Sequence, residues 1–249
     1  MYLLAGLSII VLNLICSTNV VAKWGQPKED TKKGCENGHC YQKCYPTPHA
    51  MEGPFYVPGQ RRVRSDIREG KEGVPLKLEL NFMDVNNGCK PVVDADVHIW
   101  QPDALGVYSA YLGFYPLGKP GSKQITGNHE EPTDTSTFLR GIQKTDETGK
   151  VTFMTVYPGW YLQRALHIHF KVFVNDEEND IYTGEVYFPK EISDRVAKVK
   201  PYVQQKEKRA ENEDDWLFIR LDGFRSVANI SGDEHNGFVG ALNVGVELY

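Results

Sequence analysis

Beyond residue 22 the 249-residue chain has no apolar run approaching about 18 residues, so nothing downstream is long enough to cross a bilayer as a helix. It has no basic stripe either. Its 28 Lys and Arg stand against 33 Asp and Glu, a formal charge of −5, which argues against a nucleic-acid partner and favours a small molecule. No repeat of roughly 20 to 50 residues is visible, so solenoids and propellers are excluded. The first 22 residues lack any charged side chain. Their apolar run of about 14 residues, ending in the small residues Val20 and Ala22, reads as a signal peptide, with an uncleaved anchor as the alternative because no basic n-region precedes it. The expected product is secreted and extracellular, with no membrane partner once that segment is removed.

Cysteine is scarce, with five in the chain. Cys16 leaves with the first 22 residues, and an even set remains: Cys35, Cys40, Cys44 and Cys89. In an oxidising compartment these predict two disulfides, with all three pairings open. A zinc knuckle in "CENGHCYQKC", using His39 or His49, is the rival reading, but it lacks a second C-x-x-C or H-x-x-H half. Residues 23 to 50 are polar and rich in Lys, Pro and Cys, which predicts an irregular stapled arm. Residues 51 to 249 suffice for one domain with a sizeable core.

Helical periodicity is nearly absent, and strand periodicity is plentiful. In "LKLELNF", Leu76, Leu78, Leu80 and Phe82 alternate with polar residues, the mark of a half-buried strand. "ADVHIWQ", "VTFMTVY", "ALHIHFKVFV", "IYTGEVYF", "WLFIRL" and "FVGALNVGVEL" extend the series, separated in places by turn signals such as "NNG", "ETGK" and "NDEEND". Only "PKEISDRVAKVK" has helical spacing, through Ile192, Val196 and Val199, until Pro201 ends it. The fold expected is mainly β, a two-sheet sandwich or barrel with few helices. The charged run "QKEKRAENEDD" reads as a solvated loop.

The segment "YPGWYLQRALHIHFKV" concentrates unusual chemistry. As a strand it turns Leu166, Ile168, Phe170 and Val172 to one face and His167, His169 and Lys171 to the other, with the imidazoles about 6 to 7 Å apart. Two hydrogen-bonded histidines would satisfy that pattern, so further ligands must decide. Tyr161 follows a turn that aims its ring over the strand, and Tyr108 follows "ADVHIW" after a break at Gly106. A phenol ionises near pH 10, so holding it as phenolate at neutral pH requires a strong Lewis acid. Two phenolates with two neutral imidazoles suit ferric iron better than zinc. Two alternatives are a zinc hydrolase with Asp103 as its carboxylate, and a secreted carrier or adhesive module without chemistry. His98 reads as structural, Trp160 as either pocket wall or core, and Asn229 in "NIS" as a glycosylation sequon.

These residues resemble the intradiol ring-cleavage dioxygenases. The matching blocks are "EGPFYVPG", "DIREGKEGVPLKLEL", "GCKPVVDADVHIWQPDALGVYS", "YPGWYLQRALHIHFKV" and "YTGEVYFP", spanning roughly residues 50 to 189. The resemblance implies a β-sandwich holding Fe(III) through Tyr108, Tyr161, His167 and His169, with hydroxide or water as a fifth ligand. It implies cleavage of a catecholic substrate with O2, between the hydroxyl-bearing carbons, to muconate-type products. Tyr161 would also accept a substrate proton, Arg164 would stabilise charge developing on the substrate, and Met51 and Pro54 would line the pocket. The bacterial members' helical dimerisation region has no counterpart here, which implies a monomer. The spacing from Tyr161 to Arg164 is similar to that of secreted eukaryotic members, including those of plant-feeding mites. Pro102 stands where some of those carry a cysteine, which implies that Cys89 pairs within the arm. The extracellular setting suggests dietary or plant phenolics as substrates.

Overall fold

The computed structural model describes residues 34–36, 39–41, 44–59, 62–115, 119–175 and 180–248. The expected signal peptide, residues 1 to 22, and much of the arm lie outside them. In chain order the strands and helices are β1 (Gly34–Glu36), β2 (His39–Tyr41), β3 (Pro75–Asp84), β4 (Lys90–Pro91), β5 (Asp96–Trp100), β6 (Arg140–Lys144), β7 (Lys150–Val156), β8 (His167–Phe173), β9 (Tyr182–Tyr187), α1 (Lys190–Val196), α2 (Trp216–Arg220), β10 (Asn229–Asp233) and β11 (Gly237–Val246).

The alternation in β3 makes it the spine of one sheet. It pairs in parallel with β11, which pairs with β10, while β7 and the short β4 share its other edge. The second sheet is antiparallel in the order β6-β5-β8-β9. Leu76, Leu78, Leu80 and Phe82 have no exposed surface and pack in one cluster with Ile168, Phe170 and Val172 of β8. Each such side chain contributes about 1.5 to 3 kcal/mol relative to exposure, so the facing pattern of two strands sets the sandwich.

Cys44 is bonded to Cys89, with a Cα–Cα distance of 5.8 Å, which ties the arm to the turn after β3. Cys35 and Cys40 are Cα partners in the β1–β2 ribbon, but their side chains lie outside the described residues.

Two expectations are corrected. "WLFIRL" is not a strand: residues 216–220 form α2, with the Asp215 carboxylate accepting the Leu217 N–H at 3.0 Å as a cap. The buried residues there are the adjacent Leu217 and Phe218, whereas a half-buried strand would bury alternate positions. "QKEKRAENEDD" is not wholly solvated, because Asp215 is fully buried and Arg209 pairs with Asp194 and Glu211. The strand β6, "RGIQK", has no apolar alternation to reveal it.

Candidate functional site

Strand register builds the site. In β8, His169 lies opposite Trp100 of β5 on one side and Glu185 of β9 on the other, while His167 faces Tyr187. The opposite face of β8 enters the inter-sheet core, so the histidine face would be bare without a second covering. That covering is an aromatic cluster of Phe55, Trp100, Tyr108, Tyr111, Phe114 and Tyr161, brought over the sheet by the connections around it. The turn after Tyr157 therefore returns the Tyr161 ring to within 5.8 Å of the His167 ring, centroid to centroid.

His167 and His169 are closer than the strand repeat predicts. Their ring centroids are 4.5 Å apart at 90°, and the two Nε2 atoms are separated by 3.0 Å. His167 Nδ1 lies 2.7 Å from the Ala165 carbonyl, which assigns its N–H there and leaves a lone pair on Nε2. Tyr161 Oη is 3.4 Å from that Nε2. The Tyr108 ring meets the Tyr161 ring edge-on at 5.5 Å and lies 6.4 Å from His169. Its hydroxyl is buried without a hydrogen-bond partner, as is His169 Nδ1. Buried polar atoms without partners are costly, and lone-pair donors converging on one point are what a cation would stabilise.

Arg164 stands beside this cluster, its side chain 12 % exposed and held through Nε and Nη2. Its Nη2 donates to both Glu185 oxygens at 2.8 and 2.9 Å, and its Nε donates to Asp215 Oδ2 at 2.8 Å. Tyr187 donates to Glu185 as well. Glu185 Oε1 also lies 3.4 Å from His169 Nδ1 and 3.8 Å from His167 Nε2, so these three residues could themselves hold a metal ion. With both oxygens already accepting from Arg164 and one from Tyr187, Glu185 serves better to orient Arg164. Sequence reasoning missed both Glu185 and Asp215. An acid inside the apolar run "IYTGEVYF" was a usable signal for Glu185; Asp215 lay hidden among other acids.

Burial pushes both imidazoles well below their ordinary value, and Arg164 for His167, or His167 for His169, adds to it. Both imidazoles are therefore neutral at neutral pH. Burial, then the adjacent Tyr161, raises Tyr108 well above its ordinary value, and burial raises Tyr161 too. Burial disfavours the Arg164 cation, but Glu185, Tyr161, Tyr187 and Asp215 outweigh it and raise its pKa. A depressed imidazole pKa means that the unfolded chain binds protons first on acidification. Stability of the metal-free protein should therefore be level above about pH 7 and fall below about 6.5, by up to about 1.4 kcal/mol per pH unit for each imidazole. Urea midpoints between pH 7.5 and 5.5 measure this; a profile equally steep in His167→Gln and His169→Gln would assign the slope elsewhere.

Of the other expected residues, Met51 is 40 % exposed and Pro54 is half-buried, its carbonyl accepting from the Glu130 N–H. Between them Gly53, at φ 73°, leaves only 3.4 Å from the position of a Cβ to His169 Cε1, so this segment does reach the histidines. Asp103 is committed to its own loop, accepting from the Leu105 and Val107 N–H groups at 3.0 Å and pairing with Lys71 at 2.6 Å. That removes Asp103 as the carboxylate of the zinc-hydrolase alternative. Trp160 belongs to the main core, donating to the Glu207 carbonyl, and His98 lies 3.2 Å from Tyr56 Oη.

No protein-family model matches the chain. The structure is similar to the intradiol ring-cleavage dioxygenase from Tetranychus urticae, with 34 % identity, 82 % of this chain and 95 % of that chain covered, and a TM-score of 0.74. The dioxygenase domain of a carbohydrate-binding fusion protein from Streptomyces sp. SirexAA-E, at 24 % identity and a TM-score of 0.56, covers 82 % of this chain and all of its own, and shares the fold. Among curated proteins, the protocatechuate 3,4-dioxygenase beta chain of Burkholderia cepacia is 28 % identical over 128 residues, 48 % of each chain. The match therefore spans about half the length of that relative.

Proposed function

Because the chain belongs to the intradiol ring-cleavage dioxygenases, oxidoreductases that incorporate O2 during catechol cleavage, we propose that it is a ferric enzyme acting on extracellular catechols, with Tyr108, Tyr161, His167 and His169 as the metal ligands. The observation that carries the reading is the convergence of two imidazole Nε2 atoms and a phenol, with a second buried phenol that has no hydrogen-bond partner. The donor set fits a hard trivalent cation, since protonated phenols with raised pKa values need one to ionise. A ferric ion bound there would supply Lewis acidity, keeping the phenols and the bound catechol ionised and activating the catechol towards O2.

The protein's own part is to hold, orient and exclude. The aromatic cluster keeps bulk water from the ligand atoms. In this reading Tyr161 Oη, once ionised, takes a hydroxyl proton from the substrate. Arg164, fixed by two carboxylates, offsets negative charge that develops on the ring as it opens to a muconate-type product. Since Glu185 and Asp215 already balance Arg164, it is not free to pair with a carboxylate on the substrate ring. Uncharged catechols should be preferred over protocatechuate.

Secretion is supported by the character of residues 1 to 22 and by the Cys44–Cys89 disulfide, and the dietary or plant phenolics met outside cells are the proposed substrates. The working unit in this reading is a monomer. The deciding experiment is iron content and visible absorption of the purified protein, followed by oxygen uptake with catechol, 4-methylcatechol and protocatechuate. We expect a coloured protein whose band moves on anaerobic catechol addition, and turnover at least about tenfold more efficient for the uncharged pair. A protein that stays colourless after reconstitution with ferric or ferrous salt would end the ferric reading.

A further inference from the structure

Arg140 of β6 is a buried cation without a counter-ion among the described residues. It is 4 % exposed, and its Nε and Nη2 donate to Ser109 Oγ at 2.9 Å and the Ser109 carbonyl at 2.7 Å. Its Nη1 has no acceptor, and no carboxylate forms an ion pair with it among the described residues. The guanidinium lies 5.6 Å from the centre of the Tyr111 ring. Asp134 acts on it only at longer range, its carboxylate being engaged by the N–H groups of Leu112 and Ser136 and the hydroxyls of Thr133 and Ser136. Burial brings its pKa down to about 10, so it remains charged at neutral pH. A buried charge held only by neutral groups is not compensated by an opposite charge, which is unfavourable.

A second donor without a partner lies on the same cavity. Trp100 is 1 % exposed and its Nε1–H has no acceptor. Arg140 and Trp100 both line a small, solvent-open cavity, together with Tyr56, Arg62 and His98. Among the described residues two arginines line it and no carboxylate does, in a chain whose net charge is −5. The Trp100 ring stacks flat on His169, 4.9 Å away at 3°, so the cavity is one ring removed from the metal-ligand cluster.

We propose that this cavity is an anion site, in which a compact monoanion, either chloride or the carboxylate of a small organic acid, is held between the Arg140 guanidinium and the Trp100 indole N–H. The anion gives the buried Trp100 N–H an acceptor and neutralises the Arg140 charge. Its size is limited by the aromatic walls of Tyr56 and Trp100, and Arg62 at the exposed rim adds attraction without desolvation. The site needs neither iron nor a catechol.

The test uses the full protein in sodium gluconate at fixed ionic strength, with chloride, formate or acetate exchanged for gluconate. Thermal midpoint and tryptophan fluorescence are read together. We expect a saturable response, with Tm raised by about 5 to 10 °C at a hundredfold excess over Kd. Arg140→Gln should abolish it. Trp100→Phe, which keeps the ring stack and removes the N–H, should weaken Kd about five- to tenfold and decides the matter if Arg140→Gln does not fold. Saturation by chloride alone assigns an inorganic ion, and displacement of chloride by formate or acetate assigns a carboxylate. Absence of any saturable response in the unaltered protein, or a response unchanged in both variants, overturns the proposal.

Discussion

Tyr161→Phe should reduce catechol cleavage by about 10² to 10⁴-fold while leaving the protein folded. The ring packs against Phe55 and Tyr108 and stays in place, and the hydroxyl's contact with His167 Nε2 at 3.4 Å is lost. Oxygen uptake measures the rate, and the thermal midpoint checks the fold. Tyr108→Phe separates the structural role from the metal role more sharply. Because the Tyr108 hydroxyl is buried with no partner, its removal should leave the metal-free protein equally stable or about 1 kcal/mol more stable. Iron retention and visible absorption should nevertheless fall. A Tyr108→Phe protein that kept full colour and turnover would remove Tyr108 from the ligand set.

Asp215→Ala should be among the most destabilising single changes in the chain. Asp215 has no exposed surface, and one carboxylate does three things: it accepts from Arg164 Nε at 2.8 Å, accepts from the Ala165 N–H at 3.0 Å, and caps α2 through Leu217. Removing one partner of a buried ion pair costs about 3 to 5 kcal/mol, which at this size lowers Tm by roughly 6 to 20 °C. The neighbouring Glu213 is exposed, so Glu213→Ala should change stability by no more than about 0.5 kcal/mol. Asp215→Asn keeps the capping oxygen and isolates the charge. Its stability should lie between the two, and kcat should drop because Arg164 is then held by Glu185 alone. Equal midpoints for Asp215→Ala and Glu213→Ala, read by calorimetry, would contradict this packing.

The sandwich and the region of the site are legible in side-chain order. The period-two runs in β3, β7, β8 and β11 reappear as strands because one buried face per strand is a local property. The His-x-His pair is legible for the same reason, and the resemblance to the dioxygenase family adds Tyr108, Tyr161 and Arg164. The short elements are not. Residues 216 to 221 are apolar enough for a strand, and only the cap from Asp215 and the contact surface beneath Leu217 and Phe218 make them a helix.

The sequence by itself determined the class of fold, the two imidazoles on one strand face and the phenols able to join them, because strand periodicity and side-chain chemistry are local. Only the tertiary structure decided that the imidazole nitrogens meet at 3.0 Å, that Glu185 and Asp215 both hold Arg164, and that, among the described residues, Arg140 has no carboxylate partner and the Trp100 N–H no acceptor. Those facts depend on which distant segments share a register or a cavity. Arg164 and Asp215 are 51 residues apart, and Arg140 and Ser109 are 31 apart. Electrostatic balance is a sum over neighbours in space, and a chain read in order shows the charges without showing which of them are paired.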